Sequence, residues 1–162
     1  MSERPLHILF VCMGNICRSP AGEGVLAKRV TEAGLGDRIE IDSAGTIGMH
    51  QGHRADARMR AAATKRGYDL TSSARQVTAA DLDDFDLILT MDEENHRNVL
   101  RLATTDTQRG RVRLFCSFCQ TQSEREVPDP YHGGLQGFEH VLDLLEDGCN
   151  GVLNWAQARL SS

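Results

Sequence analysis

The run Ile8-Leu9-Phe10-Val11 passes without a break into Cys12-Met13-Gly14-Asn15-Ile16-Cys17-Arg18-Ser19-Pro20. Four consecutive apolar residues predict a strand buried on both faces, the kind found in a parallel sheet. Ser19 followed by Pro20 predicts a helix entry: a capping hydroxyl, then proline at the first helical position, where its missing N–H costs nothing. The chain must therefore turn from buried strand into helix within a few residues. Gly14 opens backbone conformations closed to other residues, and Asn15 tolerates left-handed angles better than most. The amides of Met13 to Cys17, the helix N-terminus and Arg18 then converge on one point, and such convergence binds phosphate-like anions.

Cys12 stands at the edge of that point. Cysteines at helix N-termini beside arginine are thiolates near neutral pH, so Cys12 is the expected nucleophile. Ser19 is placed to donate its hydroxyl to the sulfur and to steady it as a leaving group. Arg18, planar and permanently charged, can hold two phosphate oxygens at once and follow them into a transition state. A small buried cysteine in an ordinary strand-to-helix turn would account for Cys12. It would not account for Arg and Ser at this spacing.

Further along, Ala21, Val25, Leu26 and Val30 recur at helical spacing, predicting an amphipathic helix from Pro20 to about Ala33. Arg38 to Gly45 alternates and stops at glycine, a second strand. Thr46 to Arg54 reads as loop, and Asp56 to Arg66 as a helix closed by Gly67. Asp81 to Phe85 predicts a helical turn, Phe85 to Met91 a third strand, and Asp92 a cap for a helix to about Leu102. Arg111 to Phe115 is a fourth strand, and a last helix runs from about Gly134 to Ala158. Strands alternating with helices predict one α/β domain over residues 1–162: a doubly wound sheet of four parallel strands with helices on both faces. Ligands in such sheets bind beyond the carboxyl ends of the strands, where Cys12 falls.

The 162 residues carry 18 basic and 23 acidic side chains, a balance that argues against nucleic acid as a partner. The segment Met1-Ser2-Glu3-Arg4-Pro5 leads straight into the first strand with no signal peptide, and no apolar run approaches membrane-spanning length. Five cysteines, an odd count without export signals, point to a reducing compartment, with the cytoplasm the expected address.

The string Val11-Cys12-x-Gly14-Asn15-x-Cys17-Arg18-Ser19-Pro20 resembles the signature of the low-molecular-weight protein tyrosine phosphatases. The likeness continues through Asp42-Ser43-Ala44-Gly45, Ala74-Arg75-Gln76, Asp86 to Asp92 and Pro128-Asp129-Pro130-Tyr131, in the family's order. It implies hydrolysis of phosphotyrosine in proteins, with inorganic phosphate as product and neither metal nor cofactor. It also implies a general acid at Asp129, whose backbone is restricted by a proline on each side. In the family's pattern Ser43 braces the loop through Asn15; a strand-end serine facing water is the plain alternative. Asp92 would fasten neighbouring loops, cap a helix, or do both. Tyr131 and His132 would flank the cleft rim. Three positions depart from the pattern: Gly22 in place of alanine, Met49 in place of an aromatic cleft wall, and His132 in place of a second tyrosine.

The resemblance also implies that Cys12 and Cys17 can pair reversibly, although Cys17 equally reads as a small residue packed under the loop. Cys116-x2-Cys119 without a second ligand pair is a weak zinc motif. His50 and His53 lie in one loop with nothing in the sequence to tie them together, and His96 reads as a surface residue. Two enzymes of similar pattern compete. An arsenate reductase needs two further cysteines after the third strand, where Asp92 to Gly110 has none. A protein-arginine phosphatase carries Thr where Ile16 stands. A non-catalytic phosphate-binding module would not need Cys12, Arg18 and Asp129 together.

Overall fold

The computed structural model describes residues 4–161; Met1-Ser2-Glu3, read as the approach to the first strand, lies outside the described residues. Four strands, β1 (Leu6–Cys12), β2 (Ile39–Gly45), β3 (Leu87–Thr90) and β4 (Val112–Leu114), form one parallel sheet in the order β2-β1-β3-β4. The expected four-stranded parallel α/β sheet is the observed one, with β1 inside it. β1 alternates between two cores. Leu6, Ile8, Phe10 and Cys12 join one cluster with residues of α1 (Arg18–Glu32), α2 (Ala57–Lys65) and α6 (Leu135–Ser161). Leu9 and Val11 join the other, with Leu82 of α3 (Asp81–Asp84) and Val99 of α4 (Glu93–Leu100). A strand buried on both faces must be apolar at every position, which explains the unbroken run at Ile8 to Val11.

Gly22 is where α1 crosses β1. A Cβ there would stand 2.6 Å from the Phe10 ring, so the missing side chain sets how closely helix and strand approach. None of the helices among the described residues is long and apolar enough to cross a membrane.

Several boundaries differ from the sequence reading. α1 begins at Arg18, not Pro20, and Ser19 does not cap it; Cys17 holds the cap position without a side-chain bond. The Ser19 hydroxyl is turned inward to the loop instead, and Pro20, at the third helical position, still lies in the first turn, where its lack of an N–H forfeits no intrahelical bond. β3 and β4 are shorter than expected. Two elements went unread: α5 (Asp106–Arg111) and a 3-10 turn at Phe115–Phe118. His96 is half-buried, its Nδ1 within 3.1 Å of Thr90 Oγ1, and burial lowers its pKa.

Candidate active site

The carboxyl ends of β1 and β2 meet at Cys12 and Gly45, paired in register. The loop after β1 folds back over β2's end: Thr46 and Ile47 donate backbone N–H bonds to the carbonyls of Cys12 and Met13 at 2.9 and 3.1 Å. A Cβ on Gly45 would stand 2.6 Å from the Met13 carbonyl oxygen, so only glycine lets the loop lie this close. At the loop's tightest point Asn15 takes φ +56°, alone in positive φ among the described non-glycine residues. Its side chain braces the turn. Nδ2 donates to Ser19 Oγ (2.7 Å) and Ser43 Oγ (3.0 Å), while Oδ1 accepts from the Arg75 backbone N–H (2.9 Å). Ser43 is buried and donates in turn to Glu23 Oε1 at 2.6 Å. Water does not reach it.

Ser19 links this brace to Cys12. Its Oγ stands 3.0 Å from Cys12 Sγ, and its backbone N–H points at the same sulfur from 3.4 Å. Asn15 fills a lone pair of the hydroxyl, which leaves the Ser19 proton to the sulfur or to the Ala44 carbonyl, 3.3 Å away. Cys17 differs from Cys12 in kind. Burial, then the negative charges of Asp56 and Cys12, push its thiol up to about 12, so it stays protonated. All five cysteines are free.

Arg18 is 3% exposed, and its guanidinium is fixed from behind. Nη1 donates to Asp92 Oδ2 at 2.7 Å and to the Val127 carbonyl at 3.0 Å. Burial opposes its charge, but Cys12, Asp92 and Asp129 outweigh that opposition and raise its pKa. Asp92 has both roles the sequence allowed: its other oxygen caps α4 through the Asn95 N–H at 2.7 Å. Asp129 Oδ2 stands 4.0 Å from Arg18 Nη2, and its Oδ1 accepts the Tyr131 N–H at 3.0 Å.

These groups open into one cavity of about 410 Å³. Cys12, Met13, Gly14, Ile16, Cys17 and Arg18 form its floor, and Asp129, Tyr131 and His132 one side. Asn15, Ser19 and Ser43 lie beneath the floor, not in it. Met49 borders the cavity but is 76% exposed. The nearer wall is His50, whose Cδ2 would be 3.0 Å from a Cβ on Gly14 and whose ring faces Tyr131 at 6.4 Å between centroids. Arg58 buttresses Tyr131 from outside: it lies 5.3 Å from the ring centroid and donates to the Tyr131 carbonyl at 3.0 Å, while Asp56 holds its guanidinium. Sequence reasoning missed His50, Ile47 and the Val127 carbonyl. A carbonyl has no sequence signal, but His50 follows Met49 in the loop already singled out. Among the described residues no three metal-ligating side chains cluster.

The family model for low molecular weight phosphotyrosine protein phosphatase matches residues 7–161. A Synechocystis protein named for this family is 47% identical over 148 residues, covering 91% of this chain and 94% of that protein. The human low molecular weight phosphotyrosine protein phosphatase is 36% identical over 150 residues, covering 92% and 94%. The crystal structure of a protein tyrosine phosphatase from Entamoeba histolytica superposes with a TM-score of 0.89 at 41% identity, over 91% of this chain and 94% of that one. With a loop of this geometry at the end of β1 and matches along nearly its whole length, the chain belongs to the low molecular weight phosphotyrosine protein phosphatases, a family of hydrolases.

Proposed function

We propose that residues 1–162 act as one catalytic domain that hydrolyses phosphotyrosine monoesters in proteins through a phosphocysteine. The observation that carries this reading is that Cys12 and Arg18 of one loop and Asp129 from far along the chain face a single cavity. In the first step Cys12 thiolate attacks phosphorus in line. The bond from phosphorus to the tyrosine oxygen breaks, and the Asp129 carboxyl gives that oxygen its proton. In the second, Asp129 carboxylate takes a proton from water as the water oxygen attacks phosphorus. The S–P bond breaks, the thiolate returns, and inorganic phosphate leaves.

The loop amides and Arg18 stabilise the equatorial oxygens in both steps, each donor already aimed before charge develops. Ser19 assists at the sulfur when it departs. No step calls for a metal or cofactor. Ile16 on the floor, bulkier than the Thr an arginine phosphatase carries there, favours tyrosine. The absence of cysteine from Asp92 to Gly110 counts against arsenate reduction. Partners are then tyrosine-phosphorylated proteins, met in a reducing cytoplasm.

The test is one set of assays on the same protein: an aryl phosphate, a phosphoarginine peptide, and arsenate with a thiol reductant. Aryl phosphate turnover that vanishes in Cys12→Ser, while vanadate still binds, is the expected result. Faster turnover of phosphoarginine, or arsenate reduction, would replace this reading with one of its competitors.

A further inference from the structure

Cys116 and Cys119 take no part in the cleft. They fall just past β4, on the 3-10 turn Phe115–Phe118 and the residue that ends it. In a 3-10 turn, side chains three apart eclipse and the rise separates them by about 6 Å, inside the roughly 4.4–6.8 Å between Cα atoms that a disulfide spans. Here the turn is closed: the Cys119 N–H donates to the Cys116 carbonyl at 3.1 Å.

The surroundings hold this arrangement. Asp147 on α6 accepts the backbone N–H groups of Gln120, Thr121 and Gln122, at 2.8 Å from the last. Gly151 lies directly against the Phe118 carbonyl, where a Cβ would stand 2.0 Å from the oxygen. Cys119 Sγ donates to the Leu144 carbonyl at 3.7 Å. The segment is thus held in the turn whose spacing suits a disulfide.

The members of the pair are unequal. The proximity of Cys119 lowers the Cys116 pKa against the pull of burial, and Cys119 is raised correspondingly. Cys116 also borders an open hollow of about 260 Å³ with Gln122, Glu124 and Arg125, so a small oxidant reaches it. A metal is a poor alternative occupant, since no third ligating side chain among the described residues joins the two.

We propose that Cys116 and Cys119 are a dithiol–disulfide site, distinct from Cys12 and Cys17, that forms an intramolecular disulfide when a hydroperoxide is the oxidant. Cys116 thiolate attacks one peroxide oxygen, the O–O bond breaks, and sulfenic acid forms as hydroxide leaves. Cys119 sulfur then displaces the sulfenic oxygen, which takes the Cys119 proton and leaves as water. Two sulfurs lose two electrons, and the peroxide gains them. A thiol reductant reverses the change by exchange.

The test uses the wild-type chain, because trypsin releases Leu114–Arg125 with both cysteines and no others. After a few equivalents of hydrogen peroxide and alkylation, this peptide is expected two hydrogens lighter than its dithiol form and unalkylated. Dithiothreitol should return it to the doubly alkylated form. In Cys119→Ser the same dose should leave Cys116 as a sulfenic acid that dimedone captures. Full alkylation of both cysteines after peroxide, pairing of either with Cys149, or sulfinic acid at Cys116 with Cys119 intact would overturn the proposal.

Discussion

The Ser19 hydroxyl oxygen and the Cys12 sulfur stand 3.0 Å apart, with the Asn15 amide 2.7 Å behind the oxygen. The hydroxyl proton has two acceptors in reach, the sulfur and the Ala44 carbonyl at 3.3 Å, and the sulfur is the nearer. A hydrogen bond to a charged group contributes about 1.5–3 kcal/mol. Ser19→Ala should therefore lower kcat roughly ten- to a hundredfold, with stopped-flow kinetics showing the larger loss where the sulfur departs. An unchanged breakdown rate of the phosphoenzyme would remove Ser19 from that step.

Asp129→Asn keeps the side chain's shape and its bond from Tyr131 but has no proton to give. General acids contribute about 10²–10⁴-fold. The variant should lose most of that on phenyl phosphate and little on an activated nitrophenyl ester. A flat response across a leaving-group series would mean that the acid is another residue.

Gly45→Ala places a Cβ against the Met13 backbone carbonyl, which cannot swing aside as a side chain would. Overpacking of this kind costs about 1–3 kcal/mol. Urea denaturation should show that loss, and activity should fall with it because the loop floor moves. Gly36→Ala, with no atom near its added carbon, is the control.

Glu23 offers a pH test. Burial raises its pKa against the bonds from Ser43 and Ser72. A raised folded pKa means that the native state binds its proton more tightly. The stability this contributes is whole below the unfolded pKa and lost as pH rises through the folded one. Glu23→Gln has nothing to ionise, so it should gain on the wild type as pH climbs from 4 towards 7. A constant difference between the two urea midpoints would show that Glu23 does not titrate as described.

Cys17, kept as a thiol by burial and by Asp56, is the expected resolving partner of Cys12. Mild peroxide should abolish activity, and added thiol should restore it. In Cys17→Ala recovery should fail, because the Cys12 sulfenic acid then has no near partner and oxidises further. Equal recovery in the variant would leave Cys17 a packing residue.

The order of strands and most helices was legible because alternation, caps and apolar runs are local properties. Asp92 caps as expected, and Asp56, read as the first helical residue, caps as well, each accepting from the first turn of its helix. Ser19 misled for a physical reason: a serine before proline signals a cap only when its hydroxyl has nothing better to bond, and here Cys12 and Asn15 claim it. The capping box of Thr105 and Gln108 was written in the chain, but α5 is too short to show a period. The cleft wall was read at Met49, which does line the cavity, but His50 beside it went unread. Met49 and His50 are neighbours in a loop, and only the fold-back onto Gly14 decides which of them turns inward. Arg75, Asp42 and Asp81 form an ion cluster across three segments that no spacing announces.

Arg18 is clasped by Asp92 and by the Val127 carbonyl before any phosphate arrives. Immobilising a long side chain on binding costs about 0.5–1.5 kcal/mol. Here that loss of freedom falls on folding, once, and not on each encounter with substrate. The anion meets a receptor whose most mobile cation is already still, so rotamer entropy at Arg18 drops out of the difference between strong and weak substrates. Discrimination is then left to the rim, where His50, Tyr131 and His132 meet whatever the phosphate is attached to.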